Sequence, residues 1–331
     1  MNTSRLKLNV IVPARNERLN IPYFYGRARK ALESLPDLDW NIVFVNNASE
    51  DGSLEEVLRL RDSDRRVQVI TFSRDFGYHA ALLAGLSLVE SDYYVVVDVD
   101  CEDPPELLVD FYKAIRDGAQ VAYGIRSNRQ EPSIITFGRK LFYLANRGVA
   151  DSEIVMWMGE FAMMTRQVRD AIIAPRTTFP SVRAELGYVG FKREGIPYVR
   201  ERRKYGKTSY NLWGMTVFAV ASILSGTTFP LRLLLYLSGA VGLAFPAAVW
   251  LLHPTIAEAA MLAAILSLYL LVVAVPLLSL YLARTYKNVV LRPLFVVDHT
   301  QTFLKSDDRA AVRTLATAEV TNLGGSVETG R

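Results

Sequence analysis

Residues 98–105 read DVDCEDPP, with Asp98, Asp100, Glu102 and Asp103 crowded into six positions after the apolar run YYVVV. Side chains two apart on a strand share a face, so Asp98 and Asp100 can converge, and Glu102 can fold back toward them once the strand ends. Carboxylates so close are stabilised by a divalent cation among them, and hard oxygen donors suit Mg²⁺ or Mn²⁺. Such a cation would neutralise a nucleotide diphosphate and ease its departure. A plainer reading is a solvated turn in which Asp103 caps a helix opening at Pro104-Pro105. The two assignments are compatible, with Asp98 and Asp100 serving metal and Asp103 the cap.

The elements that must position this loop alternate along the chain. Strands are expected at Leu6–Val12, Trp40–Asn46, Val67–Phe72, Tyr93–Asp98 and Gln120–Ile125. Helices are expected between them at Pro22–Leu35, Leu54–Arg61, Gly77–Val89 and Pro104–Asp117. Such alternation gives a mostly parallel sheet with helices on both faces. Ligands then bind beyond the carboxyl ends of the strands. Four polar clusters fall at those ends: ARNE, NNASEDGS, SRDFG and DVDCEDPP. That coincidence favours a binding site over a structural acidic turn.

The chain has 331 residues, half of them hydrophobic, and a net charge of +4. Its apolar excess is concentrated late. Leu233–Leu252 and Ala259–Ala283 carry no charge, and each is long enough to cross a hydrocarbon core of about 30 Å. Pro246 and Pro276 lie inside them, where neighbouring helices can satisfy the freed backbone groups. The short link HPTIAE makes a tight hairpin; the alternative is a buried helical hairpin of a soluble protein. Lys192, Arg193, Arg200, Arg202, Arg203, Lys204 and Lys207 precede the spans, Arg284, Lys287 and Arg292 follow them, and the link has no basic residue. The positive-inside rule therefore places the preceding domain and the tail in the cytoplasm. The opening MNTSRLKLNVIVPARNE does not read as a signal peptide. A single cysteine, Cys101, excludes an intramolecular disulfide and suits a reducing compartment. With only His79, His253 and His299, a zinc site is not expected, and there is no P-loop.

VPARNE, FVNNASEDGS, FSRDFGYHAALLAGL, VVDVDCEDPPELL, ERRKYGKTSY and TTFPLRL stand in the order found in polyprenyl-phosphate glycosyltransferases, as does RTYKNVVLRPLFVV after the second span. The chain resembles these membrane-tethered, inverting family 2 enzymes of GT-A fold from about residue 8 to 297. The resemblance implies transfer of a sugar from a nucleotide-sugar, a UDP-sugar or GDP-mannose, to a polyprenyl phosphate at the cytoplasmic face of the inner (plasma) membrane. It implies a metal held by Asp98, Asp100 and Glu102. Nucleotide-sugar contacts fall to Pro13, Ala14, Arg15, Glu17, Asn46, Asn47, Ser49, Asp75, Gly77, His79, Asp98 and Val99. Arg139, Arg203, Lys207 and Ser209 are expected at the acceptor phosphate, with Asp100, Glu160 and Arg203 as the catalytic set. A homo-oligomer is implied by the same likeness, and no nucleic-acid partner: beside a membrane span, the basic stretch suits anionic lipid or a lipid phosphate.

Three departures from the family pattern stand out. Asn46-Asn47 replaces an acidic pair, Gly159-Glu160-Phe161 replaces Gly-Asp-aromatic, and the basic motif ends Thr208-Ser209-Tyr210 with Lys207 earlier. Glu160 is read first as orienting a sugar hydroxyl or a basic group, and second as a weak base. Two further readings are a processive polysaccharide synthase, which lacks its Gln-x-x-Arg-Trp motif here, and a silent nucleotide-binding scaffold. The expected layout is a catalytic domain over 1–207, a juxtamembrane amphipathic helix over 208–228 carrying Trp213, two transmembrane helices over 229–286, a cytoplasmic return over 287–300 and a disordered tail over 301–331. Ser133–Val149, with Ile134, Phe137, Leu141 and Leu144 at helical spacing, fits either the membrane interface or packing on the sheet.

Overall fold

The computed structural model describes residues 5–127, 158–175, 181–206, 228–290 and 292–305. Seven strands form one sheet in the order β3-β2-β1-β4-β6-β5-β7. They are β1 (Leu6–Ala14), β2 (Leu38–Asn46), β3 (Val67–Thr71), β4 (Tyr93–Val96), β5 (Val121–Arg126), β6 (Met158–Thr165) and β7 (Arg193–Tyr198). All run one way except β6, which is antiparallel to both β4 and β5. The first five agree with the expected strands to within about two residues at each end. β6 and β7 were not anticipated.

The helices α1 (Asn20–Glu33), α2 (Ser53–Ser63), α3 (Tyr78–Leu88), α4 (Leu108–Arg116), α5 (Arg166–Ile173) and α6 (Val182–Tyr188) cover the sheet. Alternation along β1 divides the core. Leu8, Val10 and Val12 face Phe24, Leu32 and Phe111, whereas Ile11 faces α3 with Val43 and Ile70. Helix α3 is buried along nearly its whole length, and it approaches β1 closely because residue 85 is glycine. A Cβ there would lie 2.2 Å from Ile11 Cγ2. Gly85→Ala is therefore expected to cost about 2 kcal/mol through overpacking, and to lower the melting temperature by about 5 °C in a thermal melt.

The chain divides into two compact units. One comprises Met1–Pro132, Val155–Thr208 and Pro293–Arg331, and the other Ser133–Ile154 and Ser209–Arg292. The second unit holds α7 (Phe229–Leu252) and α8 (Ile256–Val290), two helices long and apolar enough to cross a membrane, with no buried residue in either. Each is longer than its uncharged stretch; α8 extends about 52 Å, past any bilayer core, through the polar segment Arg284–Asn288. Helix α7 stops at His253, whose left-handed φ of 46° precedes Pro254. Thr255 and Glu258 then start α8 with a reciprocal capping box: the Thr255 N–H donates to Glu258 Oε2 at 2.9 Å, and the Glu258 N–H to Thr255 Oγ1 at 3.3 Å. The segment expected to be helical at 133–149, and the juxtamembrane helix expected over 208–228 except its last residue, lie outside the described residues.

After α8 the chain returns to the sheet. Val297 and Phe303 bridge to Phe72 and Val69 in antiparallel sense, covering the otherwise open edge of β3. Phe295 stacks on Phe72 at 5.3 Å, and Leu304 is buried. The order expected to end at residue 300 thus continues through Lys305, whose N–H donates to Gln68 Oε1 at 3.0 Å. The reason is apolar: Phe303 and Leu304 have a strand edge to bury against.

Candidate active site

The carboxyl ends of β1, β2 and β4 each turn through a non-glycine residue in left-handed conformation: Asn16 (φ 55°), Ala48 (52°) and Cys101 (58°). Such positions cost about 1–3 kcal/mol each and persist only where their surroundings hold them. Here the loops hold one another. Asn16 Oδ1 accepts from the Glu50 N–H at 2.9 Å, and the Asn16 N–H donates to Ser49 Oγ at 3.1 Å. The Glu17 N–H donates to Ser53 Oγ at 2.8 Å. The VPARNE turn and the NNASEDGS loop are one hydrogen-bonded body.

Both asparagines of that loop are buried and engaged locally. Asn46 Oδ1 accepts from the Ser49 N–H at 3.1 Å. Asn47 Oδ1 accepts from the Phe76 N–H at 2.9 Å, and its Nδ2 donates to Asp75 at 2.7 Å. Asp75 also pairs with Arg15 and accepts from the Gly77 N–H. An acid at position 47 would set a second carboxylate against Asp75, whereas the amide donates to it. The departure from the acidic pair thus has a local physical reason. Pro13, Ala14 and Val99 are buried, with Ala14 and Val99 in the core, so they can offer a ligand main chain only.

The acidic loop follows β4. Asp98 accepts from Tyr78 Oη at 2.8 Å, and burial pushes its carboxyl up to about 7 against that hydrogen bond, with Asp100 and Asp103 adding to the rise. Asp100 Oδ1 accepts from the Glu102 N–H at 3.0 Å, and its other oxygen lies 3.7 Å from Arg203 Nη1. Glu102 instead pairs with Arg200. Among the described residues no three His, Cys, Asp or Glu side chains gather about one point, so the expected Asp98–Asp100–Glu102 set is not assembled. Arg200 draws Glu102 aside. The two remaining carboxylates suit Mg²⁺ or Mn²⁺ completed by substrate oxygens and water; the Cys101 thiol is buried.

Asp103 does not cap a helix. The turn at Pro105–Leu107 has no side-chain cap, and Asp103, almost fully buried, accepts from Tyr198 Oη and from Arg126 Nη2 at 3.2 Å. It anchors the acidic loop to β5 and β7. The Tyr198 ring reaches it by lying over Gly124, where a Cβ would stand 2.6 Å from Tyr198 Cε1.

Glu160, on β6, accepts from the Arg183 N–H at 3.2 Å. Burial pushes it up to about 7; Arg183 opposes the rise and the nearby Asp98 adds to it. A carboxyl raised in the folded state holds its proton more tightly there than when unfolded. That stabilisation is complete below its ordinary value of 4.5 and is lost as pH rises through about 7. In EDTA, the melting temperature should fall across that window, and Glu160→Gln should lessen the fall, leaving the part that comes from Asp98.

The basic stretch after β7 lies against this loop. Arg203 pairs with Glu17, donates from Nε to the Tyr205 carbonyl at 2.6 Å and approaches Asp100. Arg27, unremarkable in sequence as a surface helix charge, binds Glu106 and Glu201 at 2.7–2.9 Å. His79 stands at the first turn of α3, edge-on to Tyr78. Arg139, Lys207 and Ser209 lie outside the described residues.

Residues 9–173 match the model described as glycosyl transferase family 2. The prophage bactoprenol glucosyl transferase homolog of Escherichia coli is 31% identical over 88% of this chain and 98% of its own length. The bactoprenol glucosyl transferase of Shigella phage SfX is 30% identical over 88% and 99%. The glucosyl-3-phosphoglycerate synthase from Mycobacterium tuberculosis, solved with Mn²⁺, UDP-glucose and glycerol 3-phosphate, covers 66% of this chain and 79% of its own at 17% identity and a TM-score of 0.47. Matched at 30–31% identity by the two bactoprenol glucosyl transferases over nearly their whole length, the chain belongs to glycosyl transferase family 2 and is a glycosyltransferase.

Proposed function

We propose that this protein transfers a hexose from a nucleotide-sugar to a polyprenyl phosphate, with inversion and with divalent-metal dependence, at the cytoplasmic membrane face. The observation that carries the reading is the position of Arg203, within one site with Glu17 and Asp100. A guanidinium beside the acidic loop suits a phosphate acceptor, because its fork binds phosphate oxygens bidentately. The bactoprenol glucosyl transferases, similar over 88% of this chain, support a lipid phosphate in that place.

A phosphate monoester has a second pKa of about 6 and is already largely ionised at neutral pH, so its oxygen needs little help from a general base. The chain's larger tasks are to place that anion and to stabilise the departing diphosphate. Arg203 does the first, together with Arg139, Lys207 and Ser209. Asp98 and Asp100 are the residues that would hold a divalent cation, which supplies charge neutralisation for the leaving group. Tyr78 holds Asp98 through its hydroxyl, and Glu160, whose carboxyl the nearby Asp98 helps to push up, orients a sugar hydroxyl or a basic group. Attack by the phosphate oxygen forms the new glycosidic bond as the bond to the nucleoside diphosphate breaks, which inverts the anomeric carbon.

Membrane attachment places the site where its acceptor resides. The chain leaves the catalytic unit before α7 and rejoins it after α8 at Phe295–Lys305, which agrees with two crossings and both ends on one face. The basic residues flanking the helices, against none in the link, favour the cytoplasmic face. The test is transfer in detergent to undecaprenyl phosphate from a panel of UDP- and GDP-sugars, with Mn²⁺ or EDTA, and NMR of the product's anomeric proton. A metal-dependent, inverted lipid-phosphate sugar is expected. Retention, or turnover indifferent to EDTA, overturns the mechanism.

A further inference from the structure

The basic segment Arg200–Tyr205 has no secondary structure of its own, yet its residues sit in defined places around the acidic loop. Arg200 meets Glu102 and Arg203 meets Glu17 and approaches Asp100. A stretch of coil under these demands needs a fixed point, and one side chain provides it. Arg27, on the second turn of α1, spends all five of its N–H donors on neighbours. Nε and Nη2 donate to the two oxygens of Glu106 at 2.9 and 2.7 Å. Nη1 and Nη2 donate to the two oxygens of Glu201 at 2.8 and 2.9 Å. The remaining Nη1 hydrogen reaches Tyr23 Oη at 3.5 Å, and the Arg27 guanidinium carbon lies 5.6 Å from the Tyr23 ring centroid.

The three elements so joined frame the site. Glu106 lies in the turn that leaves the acidic loop, and Glu201 lies between Arg200 and Arg203. The Glu201 N–H donates to the main-chain oxygen of Glu102 at 2.9 Å, so the joined elements also touch directly. The far end of the segment returns to the same helix. Lys204 Nζ stands 4.0 Å over the Tyr23 ring, Tyr205 packs edge-on against that ring, and Asn20 Nδ2 donates to the Tyr205 carbonyl at 3.3 Å. Arg203 is therefore suspended between two attachments to α1, and Arg27 is the one that also grips the acidic loop.

We propose that Arg27 is a positioning residue: by clamping Glu201 and Glu106 together it sets where Arg203 stands relative to Asp100, and hence how well the acceptor phosphate is bound. The inference rests on the reading that Arg203 meets that phosphate. It needs both halves of the fork, because a lysine at position 27 carries the charge without the planar donors for two carboxylates. Glu106 and Glu201 are about half exposed, and ion pairs between such groups add little to global stability. The Arg27 side chain itself is only 18% exposed, so the clamp adds modestly to stability, and its action on placement is read from the split between the two KM values.

The experiment compares full-length wild type with Arg27→Lys, Arg27→Gln, Glu201→Gln and the double variant Arg27→Gln/Glu201→Gln. KM for undecaprenyl phosphate and for the nucleotide-sugar are measured separately, beside melting temperature and hydrogen exchange of the peptide covering residues 200–206. Arg27→Lys and Glu201→Gln should each raise the acceptor KM about tenfold with the donor KM unchanged, the loss of one bidentate arm. Exchange in that peptide should quicken in every variant, melting should shift little, and the double variant should be no worse than either single one. Unchanged acceptor KM and exchange overturn the proposal. So does a parallel rise of both KM values with a fall in melting temperature, which marks a merely structural role. If wild type transfers nothing to undecaprenyl phosphate, the acceptor reading fails by itself, and the exchange of residues 200–206 in Arg27→Lys still decides whether the clamp exists.

Discussion

Asp100→Asn should lower the rate of transfer at least about a thousandfold, the scale expected when the charge facing a departing anion is lost. The substitution is conservative for the loop. Asp100 Oδ1 accepts from the Glu102 N–H, and an amide oxygen in the same place keeps that bond. What disappears is the negative charge, and with it the partner 3.7 Å from Arg203 and one of the two carboxylates, Asp98 being the other, that would hold the cation. Circular dichroism and melting should therefore be close to wild type, while nucleoside diphosphate binding in a titration loses its response to Mn²⁺. A variant that keeps more than about a tenth of the activity would remove the acidic loop from the chemistry.

Arg203→Ala should have the second largest effect, with a different signature. A charged hydrogen bond to phosphate contributes about 1.5–3 kcal/mol, so kcat/KM for the lipid phosphate should fall about a hundredfold. Donor affinity should change far less, because Arg203 reaches the donor side only through Glu17 and Asp100. Arg203→Lys should recover part of the loss, since charge survives but the fork does not. Steady-state kinetics with each substrate varied in turn separates the outcomes, and an equal loss on both sides would place Arg203 at the diphosphate instead.

The first four strands were legible because each is a largely buried, mostly apolar run that stops abruptly at a polar cluster, as FVNNASEDGS does, and the fifth continued their alternation with helices. The sequence showed less of β6 and β7. MGEFAMMT carries Glu160 at a site-facing position inside a strand that reverses direction, and REGIPY includes Pro197, tolerated because β7 is the sheet's edge. Asp98, Asp100 and Arg203 drew attention through residue type and spacing. Asp103 was misassigned because prolines after an acid signal a cap locally, whereas its partners, Tyr198 and Arg126, come from strands distant in sequence. Arg27 was invisible for the same reason: one arginine on a helix face says nothing of two glutamates brought to it from elsewhere.

The return of the chain to β3 also bears on how the molecule is made. Thr302 accepts from the Thr71 N–H across 231 positions of sequence, and both apolar helices lie between them. On the ribosome, β3 emerges early and must wait for its last partner until both apolar helices have been synthesised. Contacts so distant form late and leave an open strand edge exposed in the meantime. Completion of the catalytic unit therefore waits on synthesis of both apolar helices, although neither contributes a strand to its sheet.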